Sequence, residues 1–150
     1  MSWREIRWTR RAAVARGVGA FWLAVLSAAQ PEEKYHTRLA PVALDASMRA
    51  TVAGIGSATA VLSGTKLSIN GTFEGLRSPA TVAHLHQSRV AGVRGPAILD
   101  LTVSHTTSGT ITGSFDLSPE QADSLRKGRL YIQIHSEKAP DGNLWGWLSR

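Results

Sequence analysis

Short segments rich in valine, isoleucine, threonine and leucine recur along this chain, and glycine, serine or proline separates them roughly every eight to twelve residues. Each segment has the length of one strand and each break the composition of a turn, which is typical of all-β sandwiches and barrels. We therefore expect an all-β fold, an antiparallel β-sandwich with one short helix. The predicted strands lie near residues 47–53, 57–63, 66–74, 79–87, 97–103, 108–116, 129–136 and 143–149.

The one predicted helix is marked at both ends. Ser118 stands where an N-cap is needed, Pro119 occupies the first helical position, and Gln121 completes the pattern of a capping box. Gly128 stands where the helix must end, because glycine readily adopts the conformation that terminates helices. These signals predict a helix over residues 119–127.

An Asn-Gly pair at residues 70–71 is ordinarily a strong hairpin signal. Here Leu67, Ile69 and Phe73 keep a period of two straight through the pair, as apolar residues on one face of a strand do. The pattern favours one continuous strand with Gly71 on its inward face.

The first 29 residues have the layout of a secretory signal peptide. Residues 1–16 carry five arginines and one acid, and residues 17–29 run without a charge and end in small residues that a signal peptidase accepts. This apolar run is shorter than the ~20 residues of a membrane-spanning helix. We expect cleavage near Ala29 and export, by the general or the twin-arginine route, to a periplasm or the extracellular space. A membrane anchor or an amphipathic helix is the alternative.

The formal charge of +6 comes largely from this N-terminal segment. Removing its five basic residues and one acidic residue leaves 12 basic and 10 acidic residues, a net charge of +2. A nucleic-acid partner is therefore not expected. The chain has no cysteine, which excludes disulfides, thiolate metal sites and cysteine nucleophiles.

The segment 30–44 is polar at its start and contains Pro31 and Pro41. Proline-punctuated polar stretches are typical of connecting segments. We predict a linker here, followed by a single domain over residues 45–150.

Three histidines are the strongest candidates for a metal site. His84 and His86 are separated by one residue, so on a strand both rings project from one face, roughly 6.5 Å apart along the backbone. In the strand near 129–136, Ile132 and Ile134 point to the core and His135 points away from it. If these strands are neighbours, three imidazoles converge, a donor set that suits copper(II) or zinc. A hydrogen-bonded polar cluster that fixes the strand register is the alternative.

Other polar and aromatic residues give weaker signals. His36 and His105 are interpreted as surface residues. Arg89 and Arg94 flank a glycine-rich loop and could bind an anion, but solvated loop arginines are the simpler interpretation. The Trp-Gly-Trp segment at 145–147 suggests either a sugar or partner surface or, as we prefer, buried indoles that close the fold.

No enzyme motif is present. The sequence has no Gly-x-Ser-x-Gly elbow, and its glycine-rich loop precedes a proline and a strand where a phosphate-binding loop would open a helix. The carboxylates Glu74, Asp100, Asp116 and Asp141 are not paired at a spacing suited to acid–base catalysis. We expect a protein that is not an enzyme.

Residues 54–148 resemble the CHRD domain, a module repeated in chordin and found singly in exported bacterial proteins. Three sequence blocks carry the resemblance, and the second and third hold the three histidines. The blocks are Gly56-Ser57-Ala58-Thr59-Ala60, then Ala83-His84-Leu85-His86 with Gly95-Pro96, then Leu117-Ser118 through Leu125, Gly128, Tyr131, His135, Pro140 and Gly142.

The resemblance implies a secreted module with an immunoglobulin-like or Greek-key β-sandwich fold, and it supplies no catalytic residue. We accordingly expect an exported, non-enzymatic binding module with a protein or glycan partner, able to bind a transition metal through its three histidines. A periplasmic copper or zinc carrier is the alternative. Copper–zinc superoxide dismutase offers a distant analogy, since it too places a His-x-His on a strand, but its zinc loop, disulfide and later ligands are missing from this chain.

Overall fold

The computed structural model describes residues 31–150 of the chain. These residues form eight strands and one α-helix, with a short 3-10 helix at Ser47–Ala50. The elements are β1 (Glu32–Pro41), β2 (Ile55–Ser63), β3 (Lys66–Glu74), β4 (Ala80–Gln87), β5 (Ala97–Val103), β6 (Gly109–Asp116), α1 (Pro119–Arg126), β7 (Leu130–Ser136) and β8 (Ala139–Trp147). The all-β antiparallel class and the single α-helix are confirmed in this part of the chain. The expected signal peptide, residues 1–29, lies outside the described residues.

The strands close into a barrel in the order β1-β2-β3-β6-β5-β4-β7-β8. Two of the strand pairings are short. Strand β1 pairs with β8 only at Ala40–Trp145 and Pro41–Leu144. Strand β5 pairs with β6 only at Thr102–Thr112 and Val103–Ile111. The barrel therefore consists of two sheets that share β1 and β5. The expected immunoglobulin-like or Greek-key sandwich is wrong in this respect, because the sheet edges pair with each other and leave no free edge.

The predicted linker over residues 30–44 is wrong, because most of it is strand β1. This strand pairs with β2 from Glu32 to Leu39, and its Tyr35 and Leu39 side chains are buried in the core. One face of this segment therefore belongs to the core. Only these two large apolar residues mark the inner face of β1, and most of the other residues are polar or charged. With a proline at each end, the segment therefore lacks a clear apolar period of two.

The predicted strand at 47–53 is also wrong. Its beginning folds as the 3-10 helix, whose first amides are held by the carboxylate of Asp45, which accepts hydrogen bonds from Ser47 N (2.8 Å) and Met48 N (3.1 Å). Local side-chain capping of this kind competes with strand formation. The other predicted strands are confirmed, the last of them beginning earlier than expected.

The Asn-Gly prediction is confirmed, since β3 runs unbroken from Lys66 to Glu74. Gly71 faces inward and packs against Ala58 on β2. A Cβ atom at Gly71 would lie 2.8 Å from the Ala58 Cβ, closer than real Cβ atoms approach. The glycine is needed for the close approach of two strands and does not form a turn.

Helix α1 begins as the sequence predicts. Ser118 Oγ accepts from Gln121 N at 3.2 Å, and Gln121 Oε1 accepts from Ser118 N at 2.9 Å, which is a complete capping box. Leu125 is fully buried, so the helix covers part of the core. None of the helices in residues 31–150 is long and apolar enough to cross a membrane.

Glu33 on β1 links three distant parts of the chain. Its carboxylate accepts hydrogen bonds from Arg126 Nη2 (2.8 Å), from the Tyr35 hydroxyl (2.8 Å) and from Arg150. The hydrogen bonds from Arg126 are the main cause that lowers the pKa of Glu33 to about 2. The contacts tie β1 to the helix and to the C-terminal residue.

This ion cluster predicts an acid-dependent loss of stability. Because the folded-state pKa of Glu33 is lowered from 4.5 to about 2, its contribution is complete above the unfolded-state value and is lost as the pH falls toward 2. We expect Glu33→Gln to lower the urea midpoint at pH 7 and to flatten its decline in acid. Glu32→Gln, at the exposed neighbouring position, is the control and should change neither. Equal acid profiles for the two variants would contradict this assignment.

Candidate metal centre

Strands β4 and β7 are neighbours, which the predicted three-histidine site required. They pair antiparallel, with Leu85 opposite Ile132, His84 opposite Gln133, and His86 opposite Tyr131. Leu85 and Ile132 are fully buried in the core, so the residues on either side of them in each strand project from the outer face. The histidines of both strands therefore share one face of the barrel.

The structure brings His84, His86 and His135 together. Each offers one ring nitrogen, and the three nitrogens lie within 4.8 Å of one another. His84 Nδ1 and His135 Nε2 lie 3.2 Å apart. The rings meet edge to face, with centroids 5.8 Å apart for His84 and His86 and 5.0 Å apart for His84 and His135.

Backbone carbonyls fix the orientation of two of these rings. His86 Nδ1 lies 2.9 Å from the Gly95 oxygen, and His135 Nδ1 lies 2.7 Å from the Pro140 oxygen. A carbonyl can only accept, so both Nδ1 atoms carry the proton and, in the neutral rings, both Nε2 atoms carry a lone pair. Metal-binding histidines are held in the same way, through the ring nitrogen that does not bind the metal.

The third ring, His84, has a carboxylate beside its outer nitrogen. Asp100 lies opposite His84 across the β4–β5 ladder, and its Oδ1 is 3.6 Å from His84 Nε2. Asp100 stands between Leu99 and Leu101, a pattern that predicts an outward-facing side chain on a strand. The pattern did not identify Asp100 as a neighbour of His84. The pairing of β4 with β5 decides which acid faces the histidine, and sequence periodicity does not specify that pairing.

One nitrogen in the cluster is not satisfied. His86 Nε2 is buried and has no hydrogen-bond partner among residues 31–150. A buried polar atom without a partner costs about 1–3 kcal/mol, so native proteins rarely leave one. A lone pair that faces two other imidazoles is suited to a cation.

Burial keeps two of the rings neutral. Desolvation is the main cause that lowers the pKa of His86 and of His135, and the neighbouring His84 and the guanidinium of Arg94 lower both further. Hydrogen bonds to Gly95 and Pro140 act in the opposite direction and are outweighed. Neutral imidazole is the protonation state that a metal ion requires, and burial favours this state for His86 and His135 near neutral pH.

These pKa shifts predict that the metal-free protein loses stability in mild acid. The unfolded chain takes up protons near the ordinary histidine value of about 6.5, whereas folded His86 and His135 take them up only at lower pH. Stability should therefore fall as the pH drops through about 6.5. The thermal unfolding midpoint, measured at several pH values between about 5 and 7.5, reports this loss of stability. His86→Gln should flatten the dependence and His36→Gln should not; the same slope in both variants would contradict this account.

Aromatic side chains extend from the cluster across the outer face. His86 stacks on Tyr131 with ring centroids 4.7 Å apart, and Tyr131 stacks on Trp145 at 5.5 Å and nearly parallel. Trp145 is 8% exposed, which confirms its predicted burial, while Trp147 is half-buried. Both indoles lie on the face opposite the core, so they do not close the barrel interior.

The loop between β4 and β5 covers this aromatic row. The Tyr131 hydroxyl donates to the Gly95 oxygen (3.0 Å), and Gly95 N donates back to that hydroxyl (3.1 Å). Arg94 places its guanidinium carbon 5.1 Å from the centre of the Trp145 ring. The loop that the sequence marked only by its glycines is thus anchored beside the three histidines.

The remaining histidines of the described region lie outside the cluster. His36 Nδ1 is 3.1 Å from Thr59 Oγ1, and His105 Nδ1 is 3.2 Å from the Ala80 oxygen. Both residues are exposed, as predicted. They serve as natural controls for the three that converge.

The family model described as the CHRD domain matches residues 23–148. The chain belongs to the CHRD domain family. The match spans nearly the whole chain and includes all three histidines of the cluster. Searches of curated proteins and of solved structures found no match to this CHRD protein.

Proposed function

We propose that this CHRD domain is a non-enzymatic module that binds one transition-metal ion through His84 Nδ1, His86 Nε2 and His135 Nε2. The observation that carries the proposal is that the two nitrogens of each ring have different neighbours. In each ring one nitrogen faces the other histidines, and the second nitrogen faces the Gly95 carbonyl, the Pro140 carbonyl or the Asp100 carboxylate.

The spacing of the nitrogens supports this proposal. Two nitrogens on a tetrahedral zinc ion with bonds of about 2.0–2.1 Å lie about 3.3 Å apart. His84 Nδ1 and His135 Nε2, at 3.2 Å, already have this separation. All three candidate nitrogens lie within 4.8 Å of one another. Small side-chain rotations can supply the remaining movement toward an ion.

Metal binding requires one proton to move. In the metal-free cluster the neutral His135 Nε2 is an acceptor, so His84 Nδ1 is the donor of their 3.2 Å contact. The tautomer that frees Nδ1 of His84 carries its proton on Nε2, beside Asp100. Asp100 therefore stabilises the form of His84 that binds the ion.

Copper(II) and zinc are the ions that this donor set suits. Imidazole binds both, whereas copper(I) prefers thiolate and thioether sulfur. The chain has no cysteine, and Met48, the one methionine among the described residues, lies in the 3-10 helix Ser47–Ala50. We propose copper(II) or zinc as the bound ion.

A purely structural role for the histidines is the competing explanation. It accounts for the contact of His84 with His135 and for the carbonyl contacts of the rings. It leaves His86 Nε2 buried without a partner, which a cation would satisfy. For this reason we favour the metal.

The proposal is tested by titrating the metal-free protein with copper(II) and, separately, with zinc in a calorimeter. We expect one ion per chain. Nitrogen hyperfine structure in the electron paramagnetic resonance spectrum of the copper form should report histidine ligands. Absence of saturable binding of either ion would contradict the proposal and favour the structural role.

We also propose that the protein is exported, as the basic start and uncharged run of residues 1–29 suggest. Its role would then be to carry or sequester the ion in a periplasm or outside the cell. Mass spectrometry of protein recovered from the exported fraction should show a chain that begins near residue 30. An intact N-terminus in the membrane fraction would contradict this and indicate an anchored protein.

A further inference from the structure

The three histidines leave a bound ion with an open coordination position. Sites with three protein ligands commonly complete their coordination with water or with a small ligand from solution. Of the three rings, His86 is the most enclosed, at 9% exposed, whereas His84 and His135 are only half-buried. A small ligand can therefore reach the ion from the side of His84 and His135.

A positive charge lies on the same face as that position. Arg94 immediately precedes Gly95, whose carbonyl holds His86. Its guanidinium lies over Trp145, which stacks on Tyr131, and Tyr131 in turn stacks on His86. The Arg94 side chain is exposed and has no carboxylate partner in the described part of the chain, so its donors are free.

The charge balance at the loaded site favours an anion. A divalent ion bound by three neutral imidazoles carries two positive charges, and Arg94 adds a third. Two carboxylates oppose them: Asp100 beside His84, and Asp141, which follows Pro140, whose carbonyl holds His135. The total remains positive by one charge, and a neutral ligand would leave that charge unbalanced.

A further donor on this face has no partner. Trp145 Nε1, in the ring that Arg94 covers, is buried and makes no hydrogen bond within residues 31–150. The only other buried side-chain atom of this kind in that region is His86 Nε2. The indole N–H of Trp145 is a donor without an acceptor, and His86 Nε2 is an acceptor without a donor or cation.

We propose that the metal-loaded domain binds a small monodentate anion at the open position of the ion, with Arg94 as the residue that attracts and holds it. This inference rests on the proposed metal function and names the class of ligand that the bound ion takes. It gives Arg94, which the sequence offered only as one of two loop arginines, a specific role that Arg89 does not share.

Azide is the probe, because its binding to copper(II) gives a charge-transfer absorption band that can be titrated. We expect the copper-loaded protein to bind azide, and Arg94→Gln to weaken azide binding roughly 5- to 10-fold at low salt, as loss of one nearby charge should. Arg94→Lys, which keeps the charge, should retain most of the affinity. Arg89→Gln removes the same charge from the same loop and should have no such effect. Raising the ionic strength above about 0.15 M should shrink the difference.

Copper titrations of each variant separate this inference from the proposed function. If the wild type binds no copper, the proposed function fails and this inference fails with it. If the wild type binds copper but not azide, or if Arg94→Gln and Arg89→Gln bind azide equally, the anion site is contradicted while the metal site stands. If Arg94→Gln binds copper normally and azide weakly, the anion site is supported.

Discussion

Replacing His135 with alanine is expected to lower the affinity for copper(II) or zinc by more than about 100-fold. Loss of a group that only orients a ligand typically costs 10- to 100-fold, and His135 supplies a ligand nitrogen itself. It is also the only one of the three histidines on β7, so the remaining pair on β4 would hold the ion from one strand alone. Calorimetric titration of the metal-free variant with each ion measures the effect.

The matched control for this prediction is His105→Ala. His105 is an exposed histidine that contacts β4 through the Ala80 carbonyl but does not belong to the cluster. Its replacement should leave metal affinity unchanged within about twofold. Thermal midpoints of both metal-free variants show whether either has lost its fold. Equal affinities in His135→Ala and in the wild type would return the cluster to a structural role.

Replacing Leu85 with alanine is expected to destabilise the protein by about 2–5 kcal/mol, the usual cost of truncating a buried leucine. Leu85 is fully buried and lies directly opposite Ile132, and its side chain points into the core while the neighbouring His84 and His86 project from the outer face. It therefore holds the strand pair that carries all three histidines. Urea denaturation of the metal-free protein gives the change in the free energy of unfolding.

Val82→Ala is the control for the leucine prediction. Val82 lies on the same strand but is 45% exposed, so its truncation should cost less than about 1 kcal/mol. If Leu85→Ala were as mild as Val82→Ala, the packing between β4 and β7 would not be what stabilises the site. Excess metal should raise the stability of both variants by a similar amount, because ligand that binds only the folded state stabilises it by mass action.

The candidate site lies on the neighbouring strands β4 and β7, which limits how far its side chains can move. Each histidine projects from a strand whose opposite face is fixed in the core, and backbone carbonyls orient His86 and His135. A site on a rigid scaffold of this kind loses little conformational freedom when the ion binds. The histidines lie on strands, whereas Arg94, the residue proposed to hold the anion, lies in the loop between β4 and β5.

Much of this arrangement was predictable from short-range patterns. The spacing of His84 and His86 places both rings on one face of any strand, and Ile132 and Ile134 orient His135 away from the core. The capping box of α1 and the inward Gly71 were predictable for the same reason. All of these depend on residues close together in sequence, and the periods of two and 3.6 are fixed by local backbone geometry.

The tertiary structure decided what those patterns could not. Sequence periodicity does not say which strands pair, so the barrel closure, the place of β1 and the contact of Asp100 with His84 followed only from the fold. The carbonyls of Gly95 and Pro140 are backbone atoms that every residue possesses, so no side-chain pattern marks them. Pairing between distant strands depends on the packing of the whole core, and that packing brings His135 to within 3.2 Å of His84 across 51 residues of chain.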